Sequence, residues 1–426
     1  MTEDWKMETL AIQGGYKPGN GEPRVLPIAQ STTFKYDTVE EAAALFDLEA
    51  FGHMYSRISN PTVEAFETKI AALEGGVGAM AAASGQSATT MAILNICSSG
   101  QHFVASSTIY GGTFNLFTHT FKKLGIEVTF VDPKAPIEEL RQAFRPETRL
   151  VFGESLSNPG TDVLDFDKFS SLAKEFEVPF VVDNTFPSPY LCRPFELGAD
   201  VVIHSATKYI DGHATSVGGV IIDSGKFNWS NGKYPELTEP DPSYHGLSYT
   251  ETFGEMAYIV KCRTQLLRDF GACMSPMNAF MCHNGLETLH VRMDRHCENA
   301  LKLAEWLEAS PYVSWVKYPM LKSDDNYELC KNYLKGGSGV LTFGVKGGRE
   351  PGAKFMNSLE LAAIVVHVSD LRTCVLHPAS MTHRQLNDEE QKSCGVTPDL
   401  VRVSVGLENI DDIIADFDQA LKKAQL

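Results

Sequence analysis

Positive charge is scarce in this sequence. Its 37 Lys and Arg stand against 54 Asp and Glu, a formal net charge of -17, which excludes the broad basic surface that nucleic acid or an anionic membrane requires. Long apolar runs are also missing: none approaches the ~20 residues needed to span a bilayer, and the opening MTEDWKMETL is acidic, without the apolar core of a secretory leader. The expectation is a cytoplasmic chain. Its nine cysteines include no Cys-x-x-Cys pair, which suits free thiols in a reducing compartment better than a disulfide framework. Cys282, His283, His290, His296 and Cys297 gather on one helical stretch, but their spacing fits no zinc pattern, so no metal is expected. No G-x-x-x-x-G-K-[ST] phosphate loop occurs. GVGAMA, at 76–81, has the letters of the dinucleotide fingerprint, but a helical pattern precedes it where the fingerprint needs a strand.

What is present points to an α/β protein. A length of 426 residues with 43% apolar composition allows a large core and favours two domains. Asn60-Pro61 reads as an N-cap with proline at the first helical position, and TVEAFETKIAALE keeps helical spacing up to Gly75. Helical patterns such as 113–123 and 166–176 then alternate with short apolar runs, HFVAS, IEVTFV, RLVFGE, PFVVD and VVIHS. That alternation predicts crossover units and a mostly parallel sheet covered by helices. From about Phe227 to Tyr249 the pattern gives way to a long stretch of Pro, Gly, Asn and aromatics, read as an ordered loop. Long helical patterns follow to about Ser310. VSWVKY, GVLTFGV, AAIVVHV and LVRVSVGL then read as strands, and an amphipathic helix from Ile410 closes a smaller C-terminal α+β domain.

One lysine is out of place. VVIHSATKY puts Lys208 directly after a buried-strand pattern, where an ammonium loses hydration and is normally exposed, paired or held neutral for a purpose. PFVVDNT puts Asp183 at the end of a second such strand, and open α/β sheets bind ligands outside the carboxyl ends of their strands. An acid and a lysine in one crevice make, at the least, an ion pair. Ser205 and Thr207 beside the lysine add donors for a phosphate, and AASGQSATT offers the N–H groups of Gly85 and Gln86 at a helix start. An amine, a carboxylate and phosphate donors are what a pyridoxal phosphate Schiff base demands. An ordinary glycine-serine helix start is the plain alternative for the last of these.

The motifs YSRISNPT, SGQ, YGGT, VVDNT, SATKY and VRVSVGLE, in this order through nearly the whole chain, resemble the fold-type I pyridoxal-phosphate enzymes of cysteine and methionine metabolism. The resemblance implies an N-terminal arm over 1–60 reaching a neighbouring subunit, a large cofactor-binding domain over 61–268 with an insertion at about 225–250, and a C-terminal domain over 269–426. It implies Lys208 as the lysine that carries the cofactor, Asp183 at the pyridine nitrogen, Asn158 near the phenolic oxygen and Tyr110 stacked on the ring. Ser205, Thr207, Gly85 and Gln86 would hold the phosphate with Tyr55 and Arg57 of a neighbouring subunit, and Arg402, with Ser369, would bind the substrate's α-carboxylate. Tyr110 is also a candidate acid or base. Within the family, SGQ and the inserted TEPDPSYHGLSY are most similar to the branch that replaces the acetate of O-acetylhomoserine with sulfide or a thiol, an assembly of four like chains. Methionine γ-lyases typically carry cysteine after YG; this chain has Gly112, which favours replacement over elimination. Cystathionine γ-synthase and a cofactor-binding protein without turnover are the remaining readings.

Overall fold

The computed structural model of the chain describes residues 5–381 and 397–426. Two sheets organise it. The first has seven strands: β1 Gly78–Ala82, β2 His102–Ser106, β3 Glu127–Val131, β4 Thr148–Glu154, β5 Phe180–Asp183, β6 Val201–His204 and β7 Gly219–Asp223, in the order β1-β7-β6-β5-β4-β2-β3. Strands β2 to β6 pair in parallel, and β7 alone runs against both of its neighbours. All four residues of β6 are buried, as expected of a strand covered on both faces.

β1 and β7 were not among the runs read as strands. β1 lies inside GVGAMA, whose glycine and alanine content carries little strand signal, and β7 follows two glycines and gives only the short run VIID. The helix Pro61–Glu74 forms as expected: the Asn60 side chain accepts the Thr62 N–H, Pro61 takes the first position, and Gly75 ends the helix at φ 83°.

The second sheet holds β8 Val313–Lys317, β9 Val340–Val345, β10 Ala363–Ile364, β11 Cys374–Leu376 and β12 Leu400–Ser404, in the order β10-β11-β12-β9-β8. AAIVVHV, expected as a full strand, pairs only at its first part. It lies at the sheet edge, and Val365 and Val366 are exposed, so burial of these side chains does not hold a longer strand. The chain turns away instead, with Ser369 at φ 71°.

The helix Leu289–Glu308 joins the two layers. Leu289 and Met293 pack into the core of the first sheet, whereas Ala300, Leu303, Ala304 and Leu307 pack into that of the second. Of the arm expected over 1–60, the helix Met7–Gln13 lies on its own chain's core through Ala11. The stretch 227–249 is ordered by buried aromatics: Trp229, Tyr234 and Tyr249 join the first sheet's core, and the Tyr234 hydroxyl donates to the Arg149 carbonyl at 2.8 Å. Among the described residues, no helix is long and apolar enough to cross a membrane.

Candidate active site

The carboxyl ends of β4, β5 and β6 lie side by side and carry, at or just beyond them, Asn158, Asp183 and Lys208. Asp183 ends β5, and its carboxylate accepts the Thr185 N–H at 3.0 Å and the Thr185 hydroxyl at 2.5 Å. Thr185 Oγ1 in turn accepts the Ser205 N–H at 2.9 Å, so Asp183 is tied to the turn that carries Lys208. Burial pushes the Asp183 carboxyl above its ordinary value, against the Thr185 hydrogen bonds that lower it. Beneath this turn, the His204 ring nitrogen meets Glu74 at 2.6 Å with both side chains fully buried.

Lys208 follows β6, and its ε-amine is held down to about 8, first by burial and then by the Arg402 charge. Arg402 comes from the central strand of the other sheet, β12. One of its guanidinium nitrogens donates to Asn158 Oδ1 at 3.0 Å and another to the His367 carbonyl at 3.1 Å. An arginine only 8% exposed, facing a partly buried lysine, leaves this corner rich in positive charge and suited to an anionic group.

Gly85 opens the helix Gly85–Leu94, capped by Ser84. A Cβ added at Gly85 would stand 2.6 Å from Ser205 Cβ and 2.9 Å from Ser205 Oγ, so the first helical turn lies directly against the serine. N–H groups at a helix start beside a hydroxyl form an anion cradle, and this fits the phosphate of the expected cofactor. Gln86 donates its side-chain amide to the Gly112 carbonyl at 3.1 Å, which leaves its main-chain N–H as the part facing that role. The Thr207 hydroxyl accepts the Gly218 N–H at 3.0 Å and donates to the Gly218 carbonyl at 3.2 Å, bracing the loop before β7.

Tyr110 is 51% exposed. Its N–H donates to Glu154 Oε1 at 2.7 Å, and a Cβ on Gly112 would come within 2.5 Å of its ring, so the second glycine of YGGT gives the ring its room. Ser369 is fully buried, and its N–H donates to Ser404 Oγ at 2.7 Å. Among the described residues, Tyr55 and Arg57 are not bonded to the crevice of their own chain: the Arg57 guanidinium lies over the Tyr55 ring at 5.4 Å and donates to the Arg268 carbonyl.

Thr185, Glu154 and His367 were missed in the sequence. Thr185 could have been found, since an aspartate two residues before a threonine is an Asx-turn pattern. Glu154 ends RLVFGE as Asp183 ends PFVVD, and the same strand-end argument applies to it. His367 carried no local signal, because its stretch read as a strand. The cysteines that the structure describes are free; Cys394 lies outside the described residues. Among the described residues, no group of three or more His, Cys, Asp and Glu is placed to hold a metal.

A half-buried lysine just after β6, a half-buried aspartate at the end of the neighbouring β5, a helix-start anion cradle and an arginine reaching in from a second sheet together suit a lysine-based pyridoxal-phosphate site. The comparisons make this specific: residues 8–422 match the Cys/Met metabolism PLP-dependent enzyme family, and the chain belongs to it. It is 49% identical to the O-acetyl-L-homoserine sulfhydrylase of Leptospira meyeri, over 99% of this chain and 98% of that one. It is 47% identical to the homocysteine synthase of Schizosaccharomyces pombe, over 99% of each. In structure it is similar, at a TM-score of 0.95 and 37% identity over 98% of this chain and 100% of the other, to a Campylobacter jejuni protein described as an O-acetylhomoserine (thiol)-lyase, which holds N'-pyridoxyl-lysine-5'-monophosphate.

Proposed function

We propose that the chain catalyses a γ-replacement, converting O-acetylhomoserine and sulfide into homocysteine and acetate in methionine biosynthesis, with a thiol such as methanethiol as an alternative acceptor. The observation that carries this reading is the meeting of Lys208 and Arg402 in one crevice, an amine held near neutrality beside a guanidinium suited to an α-carboxylate. Pyridoxal phosphate bound there supplies an electron-accepting ring that makes the α- and β-protons of an amino acid removable.

The chain's own groups do the rest. Gly85, Gln86 and Ser205 would hold the phosphate and Asp183 would face the ring nitrogen, with Thr185 fixing the carboxylate and Thr207 bracing the neighbouring loop. Asn158, already bonded to Arg402, would contact both the ring and the substrate. Arg402 orients the substrate by its carboxylate, with Ser369 shaping that end of the site. Lys208, its amine depressed to about 8, is partly neutral near pH 7 and acts as the base that moves protons to and from the substrate carbons. Tyr110 would stack on the ring and serve the protons of the γ-carbon steps, and Gly112 leaves it the room to do so.

Tyr55 and Arg57 complete the phosphate site of a neighbouring subunit, within a homotetramer that works in the cytoplasm. Support for the shared site is that the hydrogen bond of the Arg57 guanidinium goes to the Arg268 carbonyl and its cation lies over the Tyr55 ring. A product assay on O-acetylhomoserine, O-succinylhomoserine and methionine, each with and without sulfide, tests the reading. Homocysteine formed from O-acetylhomoserine should far exceed keto acid, with methionine a poor substrate. Faster ammonia release from methionine would make the chain a γ-lyase, and a demand for cysteine as acceptor would make it a cystathionine γ-synthase.

A further inference from the structure

The His367 side chain lies against Lys208 and has no part in the reaction as described above. Its Nδ1 lies 3.3 Å from Lys208 Nζ. Its Nε2 is buried and has no hydrogen-bond partner among the described residues. Its carbonyl oxygen takes the Arg402 guanidinium at 3.1 Å and the Cys374 thiol at 3.5 Å. One residue therefore touches the lysine with its side chain and the arginine with its main chain.

An ammonium can only donate, so a hydrogen bond from Lys208 to Nδ1 requires that nitrogen to be unprotonated, with the ring proton on Nε2. We propose that His367 is a second proton-handling residue of the site, accepting onto Nδ1 the proton that Lys208 gains and returning it by the reverse transfer. The step is balanced within the pair: the ammonium loses one proton and becomes the neutral amine, and the imidazole gains it and becomes imidazolium. A lysine that has taken a proton from a substrate carbon cannot act as a base again until it loses that proton, and the nearest described acceptor is this imidazole.

The charges facing His367 come from several elements. Lys208 lies on the turn after β6 and Arg402 on β12, and both disfavour an imidazolium; Asp211, after Lys208, and Asp370, three residues along its own segment, favour one. Burial is the largest effect and keeps the ring neutral at rest, ready to accept. The Arg402 contact is to the main chain, so substitution of the side chain leaves it in place.

The inference rests on the lysine-based reaction proposed above, and one arm of its test does not use that reaction. In the apoenzyme, acylation of Lys208 by acetic anhydride is followed against pH by peptide mapping. His367→Leu removes the acceptor that stabilises the ammonium, so Lys208 should label about tenfold faster at mildly acidic pH than in the wild type. In His367→Asn a side-chain oxygen replaces Nδ1 and holds the ammonium without taking its proton, so labelling should follow the wild type. In the cofactor-loaded enzyme, His367→Asn should then lower kcat at least about tenfold across the pH profile, with KM for O-acetylhomoserine within about twofold of the wild type. Unchanged labelling of His367→Leu overturns the contact, and wild-type kcat at every pH in His367→Asn overturns the proton transfer. An enzyme that does not turn over O-acetylhomoserine would sink the proposed function, and the labelling comparison would still judge His367.

Discussion

Glu154 and Asp183 are register partners at the carboxyl ends of β4 and β5, two carboxyl groups side by side on adjacent parallel strands. Burial and then the Asp183 charge hold the Glu154 carboxyl well above its ordinary range, against the Tyr110 and Asn158 N–H groups it accepts. Glu154 thus fixes the main chain of two predicted cofactor contacts while adding little charge of its own. Glu154→Gln keeps an acceptor for the Tyr110 N–H and should retain cofactor affinity and most of kcat, whereas Glu154→Ala should lose both. Cofactor titration by absorbance checks this, and equal losses in the two variants would mean that an ionised Glu154 is required.

Arg402→Ala should separate substrate binding from cofactor binding. Losing charge-assisted hydrogen bonds to a carboxylate should raise KM for O-acetylhomoserine roughly 10- to 100-fold. Cofactor content should stay intact. Arg402→Lys should recover little of the loss, since an ammonium lacks the planar fork. A parallel loss of cofactor, measured on the purified variant, would count against the carboxylate role.

The proposed sharing of Tyr55 and Arg57 between subunits gives a complementation test. A mixed dimer of Lys208→Ala and Arg57→Ala subunits carries both lesions in one site and leaves the other whole, while neither parent dimer has an intact site. Random reassortment should restore about a quarter of wild-type activity. No recovery despite demonstrated subunit exchange would mean that Arg57 serves its own chain.

Away from the crevice, Asp223 at the end of β7 sets a pH dependence. Its carboxylate accepts the Gly225 N–H at 2.9 Å, yet burial pushes it up from 3.8 to about 7, with Asp200 adding to the shift. The folded chain then holds a proton that the unfolded chain releases, so this contribution to stability is full below 3.8 and is lost as pH rises to about 7. Asp223→Asn should melt several degrees higher than the wild type at pH 8, with the gain shrinking toward pH 4. Thermal melts of the apoenzyme across that range measure it, and a gain independent of pH would exclude ionisation of Asp223 as the cause.

Much of this was legible in the sequence where one local rule decides the outcome. Asn60, Pro61 and Gly75 bracket a helix through capping chemistry alone, and the parallel strands β2 to β6 announce themselves as branched apolar runs. Lys208 and Asp183 stood out because charge at a buried strand end is costly. What stayed hidden depends on contacts distant in sequence. Glu154 acquires its place from register with Asp183, and His367 reaches Lys208 only because the AAIVVHV segment leaves its sheet edge after two paired residues. Gly112 read as a family letter, whereas its physical meaning is the room it leaves for the Tyr110 ring.

The assignment of Lys208 is tested most directly by borohydride reduction of the cofactor-loaded enzyme followed by peptide mapping. The reduction fixes the cofactor on whichever lysine holds it. The modified peptide should contain Lys208, and Lys208→Ala should show neither the modification nor turnover of O-acetylhomoserine with sulfide. Cofactor fixed on another lysine, or a Lys208→Ala enzyme that still makes homocysteine, would contradict the account.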